Sequence, residues 1–296
     1  MSILAIVIPY YKINYFEETI KSLSNQTDKR FNVYIGNDAS DNDPIDIIEK
    51  YSSTLNLVYK KFEDNLGSIS LVKQWNRCLE LLENEKWVMI LGDDDVLSNN
   101  VVESFYEKEK EFKNSISVVR FATYKIDENS FIYTHLYTNP EIEKSTDIIV
   151  QQKRSSLSEY IFSRKKIDAI KFKELPLAWF SDLLAVLEFS EFGNIFSINT
   201  AHLEIRISPN SISGKNDNLA KKEEAKYLFY KYLFENTKGK IDEQTKMVIV
   251  NKWNKIYLND KKRVDRLCNI ILLYLRNGNF NAILKLFKLL IIKNQN

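Results

Sequence analysis

The sequence is short of the residues on which several common kinds of site depend. Its 296 residues include only 7 glycines, 2 cysteines and 2 histidines. Neither glycine-rich phosphate-binding pattern, G-x-x-x-x-G-K-[ST] or G-x-G-x-x-G, occurs, and the G-x-S-x-G turn of serine hydrolases is missing too. Cys78 and Cys268 both lie in apolar helical contexts. We therefore expect two buried free thiols in a reducing compartment, not a disulfide framework or a Cys/His metal site.

A charge excess and long apolar runs are missing as well. Lysine and arginine number 42 against 40 aspartates and glutamates, and this balance argues against nucleic acid as a partner. No apolar run approaches the roughly 20 residues of a spanning helix. The apolar segment at residues 1–10 is too short for a signal peptide and has no basic start. These features predict a cytoplasmic globular protein.

The first 125 residues alternate between two kinds of apolar pattern. Continuous apolar runs predict strands at residues 3–8, 31–35, 57–62, 87–91 and 116–124. Helical spacing predicts helices between them, including one that begins at an Asn14–Glu17 capping box and one over residues 69–82. This alternation predicts an α/β domain with a mainly parallel sheet, whose ligands bind beyond the carboxyl ends of the strands.

Two acidic loops follow predicted strands at that edge of the sheet. Asp93, Asp94 and Asp95 are consecutive, and three adjacent carboxylates repel one another unless a cation compensates them. Hard carboxylate oxygens suit Mg²⁺ or Mn²⁺, although a solvated acidic turn that caps the next helix is the alternative. Asp38, in the other loop, is either a nucleotide-binding carboxylate or an Asx-turn residue.

Taken in order, these segments resemble the GT-A glycosyltransferases of family 2. The resemblance covers roughly the first 125 residues and rests on five blocks: Ile6-Val7-Ile8-Pro9-Tyr10-Tyr11, Ser22-Leu23-Ser24-Asn25-Gln26-Thr27, Asn37-Asp38-Ala39-Ser40, Asn65-Leu66-Gly67 with Asn76, and Leu91-Gly92-Asp93-Asp94-Asp95. It implies a GT-A α/β fold over residues 1–214, with a nucleotide-sugar-binding half at 1–125 and an acceptor half at 126–214. Residues 215–296 would form a helical extension.

The resemblance also implies roles for the residues of the first half. Pro9 and Tyr10 would line the nucleotide pocket, and Asp38 would bind the uracil ring. Asp94 falls at the position of the family's metal ligand, with Asp93 beside the ribose and Asp95 next in the metal's shell. The family often has an aspartate at the position of Gly92, so a register in which Asp93 and Asp95 form the aspartate-x-aspartate pair is also open.

Three further residues have roles implied by looser matches. Lys73 is placed near the diphosphate, with a solvated helix lysine as the alternative. Phe180-Ser181-Asp182 is similar to the acidic pair that opens a helix in this family, which makes Asp182 the catalytic base, or else a helix N-terminal carboxylate favoured by the dipole. Arg206 begins a segment that resembles the family's arginine-and-serine loop, and it would contact phosphate or acceptor, or form a structural ion pair.

These roles predict a metal-dependent inverting transfer of a sugar from a nucleoside diphosphate, UDP by the resemblance, to an acceptor hydroxyl. A sugar nucleotidyltransferase and a non-catalytic binding or scaffold protein are the alternatives. The composition resembles that of enzymes that build bacterial O-antigen or capsule, in which the acceptor is a sugar on polyprenyl diphosphate. A helix predicted over residues 279–293 has a broad apolar arc with lysines, so it either packs on the preceding helices or rests on anionic lipid.

Overall fold

The structure, a computed structural model, describes residues 3–112, 115–209, 211, 214, 218–260 and 263–292. The chain divides into two compact units, of which the first ends at Asn218 and the second begins at Leu219.

The first unit is built on a mixed sheet of nine strands within the described residues. The strands are β1 (Leu4–Tyr10), β2 (Phe31–Asn37), β3 (Leu57–Lys61), β4 (Trp87–Ile90), β5 (Val96–Leu97), β6 (Val118–Ile126), β7 (Ile142–Lys144), β8 (Tyr160–Ser163) and β9 (Asn194–Arg206). Their order is β3-β2-β1-β4-β8-β6-β9-β5, with β7 paired to β9. Strands β1 to β4 are mutually parallel, whereas β8 runs antiparallel to both β4 and β6.

Helices and two 3-10 turns connect these strands. They are α1 (Phe16–Ser24), α2 (Ile45–Tyr51), α3 (Leu71–Leu79), α4 (Val101–Phe112), α5 (Asp147–Val150), α6 (Arg164–Ile170) and α7 (Ser181–Phe189), with the 3-10 turns at Leu157–Glu159 and Pro176–Ala178. The residues of β1 and β4 are almost wholly buried, which explains why they have continuous apolar sequences. The predicted α/β architecture is confirmed.

The parallel strands fix where the loops of interest lie. In the parallel pairing, Tyr10 at the end of β1 lies beside Asn37 at the end of β2, and Val7 lies beside Ile90 at the end of β4. The loops that follow β1, β2 and β4 therefore emerge at one edge of the sheet. These loops contain the two acidic segments.

Two helix starts differ from those predicted. Helix α1 begins at Phe16 after Tyr15, with no side-chain cap, so the capping box of Asn14 and Glu17 is wrong. Helix α3 begins at Leu71, because the Ser70 hydroxyl caps it by accepting a hydrogen bond from the backbone of Lys73.

The second unit consists of four helices in its described residues. They are α8 (Leu219–Asn236), α9 (Glu243–Asn259), α10 (Val264–Arg276) and α11 (Phe280–Ile292), and Lys293 of the predicted last helix lies outside the described residues. Trp253 and Tyr274 are fully buried in its core. Cys268, predicted to be buried, is exposed because it lies on the outer face of α10, whereas Cys78 in α3 is buried as expected.

Candidate active site

The three aspartates of the acidic loop point to different partners. Asp93 binds the loop after β1, because its Oδ2 accepts hydrogen bonds from the backbone N–H groups of Tyr11 and Lys12, each at 2.8 Å. Its other oxygen, Oδ1, is bound by no other described residue. Asp93 therefore holds the ends of β1 and β4 together and keeps one oxygen for a ligand.

Asp95 turns into the protein instead. Its Oδ2 accepts from the Ser158 hydroxyl at 2.5 Å, and its Oδ1 accepts from the backbone N–H of Arg206 at 2.9 Å. A Cβ at Gly92 would lie 2.9 Å from this carboxylate, so the aspartate that the family often has there would not fit. Asp95 was predicted in the metal shell, but both of its oxygens are already used within the protein.

Asp94 is the member of the triplet left to face a ligand. Its backbone carbonyl accepts from Nε of Arg206 at 2.9 Å, whereas its carboxylate accepts no hydrogen bond from any described residue. Burial, followed by repulsion from Asp95 and Asp93, raises the pKa of Asp94 to about 8. A carboxylate with so high a proton affinity at neutral pH is one that a cation would stabilise.

The metal predicted from the sequence can be tested against this donor set. In the described part of the chain no group of three or more His, Cys, Asp or Glu side chains is arranged to hold a metal ion. Asp94 and one oxygen of Asp93 fit an ion that takes one or two protein carboxylates and completes its shell with phosphate oxygens and water. Mg²⁺ and Mn²⁺ have that preference, so the residues suit an ion that arrives with a diphosphate.

The second acidic loop is organised around Asp38. Its Oδ1 accepts from the backbone N–H of Leu66, and its Oδ2 accepts from that of Gly67, both at 2.8 Å. Arg77 donates to Oδ1 at 2.6 Å and lies over the Phe62 ring. A Cβ at Gly67 would lie 2.5 Å from Oδ2, so glycine is required for this approach. Oδ1 of Asp38 thus accepts two hydrogen bonds and Oδ2 accepts one from the described residues, and the residue is only 4% exposed.

The sequence analysis assigns no role to Arg77, although this residue lies one helical turn after Lys73 on α3. Arg77 is the cation of α3 that contacts the second acidic loop, where it pairs with Asp38, and it also pairs with Asp64. The Lys73 side chain is about half exposed, and its ammonium lies 3.9 Å from Glu174. The structure therefore favours the solvated lysine for Lys73.

The aromatic residues at the end of β1 are placed differently from the prediction. Tyr10 is fully buried: its ring packs on Phe16, and its hydroxyl donates to the Asn42 carbonyl at 2.6 Å. Its ring has no exposed face for a nucleotide, contrary to the expectation, because strand alternation turns it into the core. Pro9 is partly exposed, and Tyr11 is 44% exposed beside Asp93. Tyr11 is thus the aromatic residue available at this edge.

Asp182 lies in the first turn of α7 and lines a cavity of about 530 Å³. Most of the lining is apolar, with Trp75, Trp179 and Phe180 among the lining residues. Burial raises the pKa of Asp182 to about 6, and the nearby Glu159 adds to this rise. A carboxylate with such a pKa is largely ionised at neutral pH and is a stronger base than an ordinary aspartate.

The chain leading to Asp182 has an uncommon backbone conformation. Leu177, Ala178 and Phe180 have positive φ angles of 60°, 53° and 69°. Each such residue costs roughly 1–2 kcal/mol relative to a right-handed conformation. Strain of this kind clusters at functional sites, and here it lies directly before the candidate base.

A buried ion network lies beside the cavity and was not predicted. Arg120 is buried, donates to Glu159 at 2.9 Å, and lies 3.3 Å from a carboxylate oxygen of Glu143. Lys153 pairs with Glu143, and Arg154 pairs with Glu159 at 2.7 Å. The network fixes the segment that supplies Lys153 and Arg154 to the cavity lining.

Two segments join the acidic loop to the cavity. Ser158 binds Asp95, while its neighbour Leu157 lines the cavity. Arg206 binds the acidic loop, while Ile205 and Ile207 on either side of it line the cavity. These two segments therefore connect the acidic loop to the wall of the cavity that contains Asp182.

Arg206 is held within the protein. Its side chain is fully buried: it pairs with Glu18 at 2.7 Å, donates to the carbonyls of Asp94 and Asp127, and lies over the Tyr15 ring. This geometry favours the structural ion pair over contact with phosphate or acceptor. In the predicted loop that follows, Asn210, Ile212 and Ser213 lie outside the described residues.

Comparison with known proteins identifies the family of the chain. The model of Glycosyl transferase family 2 matches residues 5–176, more than half of the chain. Glycosyltransferase GlyA of Streptococcus pneumoniae serotype 4 is 24% identical over 145 residues, which are 49% of this chain and 20% of that protein. The chain thus spans about one fifth of the length of this curated relative.

Solved structures of S. aureus TarS show a similar fold. Residues 1–349 of TarS in complex with UDP-GlcNAc match with a TM-score of 0.61 at 18% identity, over 95% of this chain and 89% of that one. The complex with UDP matches with a TM-score of 0.57 at the same identity and coverage. The fold is therefore GT-A with helices at its C-terminal end. The chain belongs to glycosyl transferase family 2.

Proposed function

We propose that this glycosyltransferase moves a sugar from a UDP-sugar to an acceptor hydroxyl, with Asp182 as general base and with inversion at the anomeric carbon. The observation that carries the proposal is the shared border of the acidic loop and the cavity that contains Asp182. A leaving diphosphate needs a cation and an attacking hydroxyl needs a base, and this border supplies candidates for both.

The UDP donor is supported by the loops at the ends of β1 and β2. Oδ2 of Asp38 accepts one hydrogen bond from the described residues and is proposed to accept a second from the ring N–H of uracil, and Pro9 and Tyr11 offer partly exposed surfaces nearby along the sheet edge. S. aureus TarS, which has a similar fold, is complexed with UDP-GlcNAc and with UDP. Asp93 then lies between this nucleotide region and Asp94.

In the proposed reaction Asp182 takes the proton of the acceptor hydroxyl as its oxygen bonds to the anomeric carbon. The bond from that carbon to the phosphate oxygen breaks, and its electrons leave with UDP. Mn²⁺ or Mg²⁺ held by Asp94 and Asp93 would supply Lewis-acid stabilisation of the negative charge on the diphosphate. The apolar cavity excludes water from the acceptor, which favours transfer over hydrolysis.

A panel of UDP-sugars with Mn²⁺ tests this function through the release of UDP. We expect release for one donor, loss of that release in excess EDTA, and a fall of at least about 100-fold in Asp94→Asn, the range seen when a key electrostatic group is removed. Asp46→Asn, which changes an exposed aspartate on α2, is the matched control. Mn²⁺ binding in the presence of UDP, measured by calorimetry, should weaken in Asp94→Asn alone. Full activity in EDTA would overturn the metal assignment.

The proposed acceptor is a sugar on a polyprenyl diphosphate, as in O-antigen or capsule synthesis, met at a membrane surface. The support comes from α11, where Phe280, Leu284, Phe287 and Ile291 are 46–63% exposed at spacings of four, three and four residues. Lys285 and Lys288 lie on the same helix, which has no acidic residue. An apolar stripe with lysines suits the boundary of an anionic bilayer. None of the described helices is long and apolar enough to span a membrane.

Sedimentation with phosphatidylglycerol vesicles tests the membrane contact. The full chain should co-sediment at low salt and less at high salt, and Leu284→Gln with Phe287→Gln should weaken binding at least about tenfold. Met247→Gln removes an equally exposed apolar residue from α9 and should change nothing. Truncation after Gly278 should weaken vesicle binding more than transfer to a soluble acceptor analogue. A full chain that stays in the supernatant at low salt would rule out this contact.

A further inference from the structure

The lining of the Asp182 cavity carries an uneven charge. Three basic residues, Lys125, Lys153 and Arg154, line it together with a single acidic one, Asp182. The remaining lining residues are two serines and apolar side chains. The cavity wall is therefore positive on balance before its buried surroundings are counted.

Two of the three cations form ion pairs with buried carboxylates that do not line the cavity. Lys153 pairs with Glu143, and Arg154 pairs with Glu159 at 2.7 Å. Arg120 shares both carboxylates, so this network holds three cations against two carboxylates and keeps one positive charge in excess.

Lys125 is the third cation and has no such partner. It lies on β6 beside Ile205 of β9, and both residues line the cavity with Ile207. Its side chain is partly buried, and its ammonium forms no ion pair with any described residue. A partly buried charge among apolar side chains is costly without a counter-charge. Asp182 lines the same cavity but forms no ion pair with Lys125, so an anion bound beside Lys125 would supply that counter-charge.

We propose that Lys125 binds an anionic group of the acceptor, a phosphate or a carboxylate, and so selects acceptors that carry negative charge close to the reacting hydroxyl. The proposal rests on the proposed function, because Asp182 identifies this cavity as the acceptor's place. The donor diphosphate belongs at Asp94 and Asp93, across the segments of Ser158 and Arg206. Lys125 thus acts on acceptor choice and not on the donor.

Three matched glycosides test the proposal kinetically: one linked through a diphosphate to a short prenyl chain, one ending in a uronic acid, and one neutral. Lys125→Met should raise the KM of the preferred anionic acceptor about 10- to 100-fold, the loss expected for a hydrogen bond to a charged group. The change in KM should exceed that in kcat, Lys125→Arg should restore most of the affinity, and the neutral glycoside should show no such rise. The anionic glycoside that shows the effect identifies the source of the charge.

Lys110→Met, which removes an exposed lysine of α4, is the control and should match the wild type. Calorimetric titration with inorganic pyrophosphate, without metal or donor, gives a second test that needs no catalysis. Binding should weaken at least tenfold in Lys125→Met. If no glycoside is a substrate, the proposed function fails while this titration still tests Lys125. Equal pyrophosphate binding by variant and wild type, an unchanged acceptor KM, or a raised donor KM would overturn the proposal.

Discussion

Replacing Asp182 by asparagine should have opposite effects on catalysis and on stability, because the buried carboxylate serves as the base but destabilises the folded chain. The carboxyl group binds its proton at a pKa of about 6 in the folded chain, against the ordinary value of 3.8. Between these pH values the folded state binds more protons than the unfolded state, so the contribution of Asp182 to stability falls as pH rises through this window. Above pH 6 the full cost of burying the charge is present.

The size of that cost follows from the shift in pKa. Roughly two pKa units correspond to about 3 kcal/mol at most. Asp182→Asn should therefore raise the free energy of unfolding of the first unit by about 1–3 kcal/mol at pH 7.5, and the gain should disappear near pH 4. Urea denaturation at the two pH values, followed by tryptophan fluorescence, measures the difference.

The catalytic consequence has the opposite sign. General-base catalysis contributes about 10²–10⁴-fold, so kcat for transfer should fall by that factor in Asp182→Asn while the donor KM changes little. In the wild type at saturating Mn²⁺, which keeps Asp94 ionised, kcat/KM should rise with unit slope up to about pH 6 and then level off, because the base must be ionised. An Asp182→Asn variant that is less stable than the wild type at pH 7.5 would contradict the cost of burying the charge. One that retains more than a tenth of kcat would contradict the role of Asp182 as general base.

Three further predictions concern the residues that hold the site. Gly67→Ala should destabilise the fold by about 1–3 kcal/mol and weaken UDP binding, measured by calorimetry, because the new Cβ displaces the Asp38 carboxylate from its N–H donors. Glu18→Gln should lower the free energy of unfolding by about 1–3 kcal/mol, since it leaves the buried Arg206 guanidinium without its carboxylate. Glu17→Gln, which breaks an exposed pair with Lys50, should lower it much less. Arg77→Met should weaken UDP binding in the same titration more than Lys73→Met does, because Arg77 and not Lys73 contacts Asp38.

Much of the fold could be predicted from the sequence, because strands that are buried on both faces consist of continuous apolar residues. Strands β1 and β4 are covered on both faces, so they appear as apolar runs, and their ends were predicted to within two residues. Helix starts were harder, because a cap depends on one hydrogen bond: Ser70 makes one at α3, and Asn14 makes none at α1. The family was readable from blocks spaced along the first half, which the family model confirms.

The positions of the site residues could be predicted only where residues that are close in sequence are also close in the structure. The acidic loop follows β4 directly, so its position at the sheet edge was predictable. Arg206 reaches Glu18 over a separation of 188 residues, and Arg77 reaches Asp38 over 39, and no local pattern encodes such pairings. Cys268 shows the same limit, since it lies on the face of α10 that exposes Val264 and Leu272, whereas Ile270, two residues further on, is fully buried.

The choice among Asp93, Asp94 and Asp95 depends on what surrounds each side chain. Successive side chains in a turn point in different directions, so three identical residues meet three different environments. Asp93 meets the N–H groups after β1, and Asp95 meets a hydroxyl and an N–H inside the protein. Each of these donors stabilises the carboxylate that it binds. The Asp94 carboxylate has no such donor among the described residues, so of the three it is the one that a cation would stabilise most. The hydrogen bonds of Asp93 and Asp95 hold the loop in position around it.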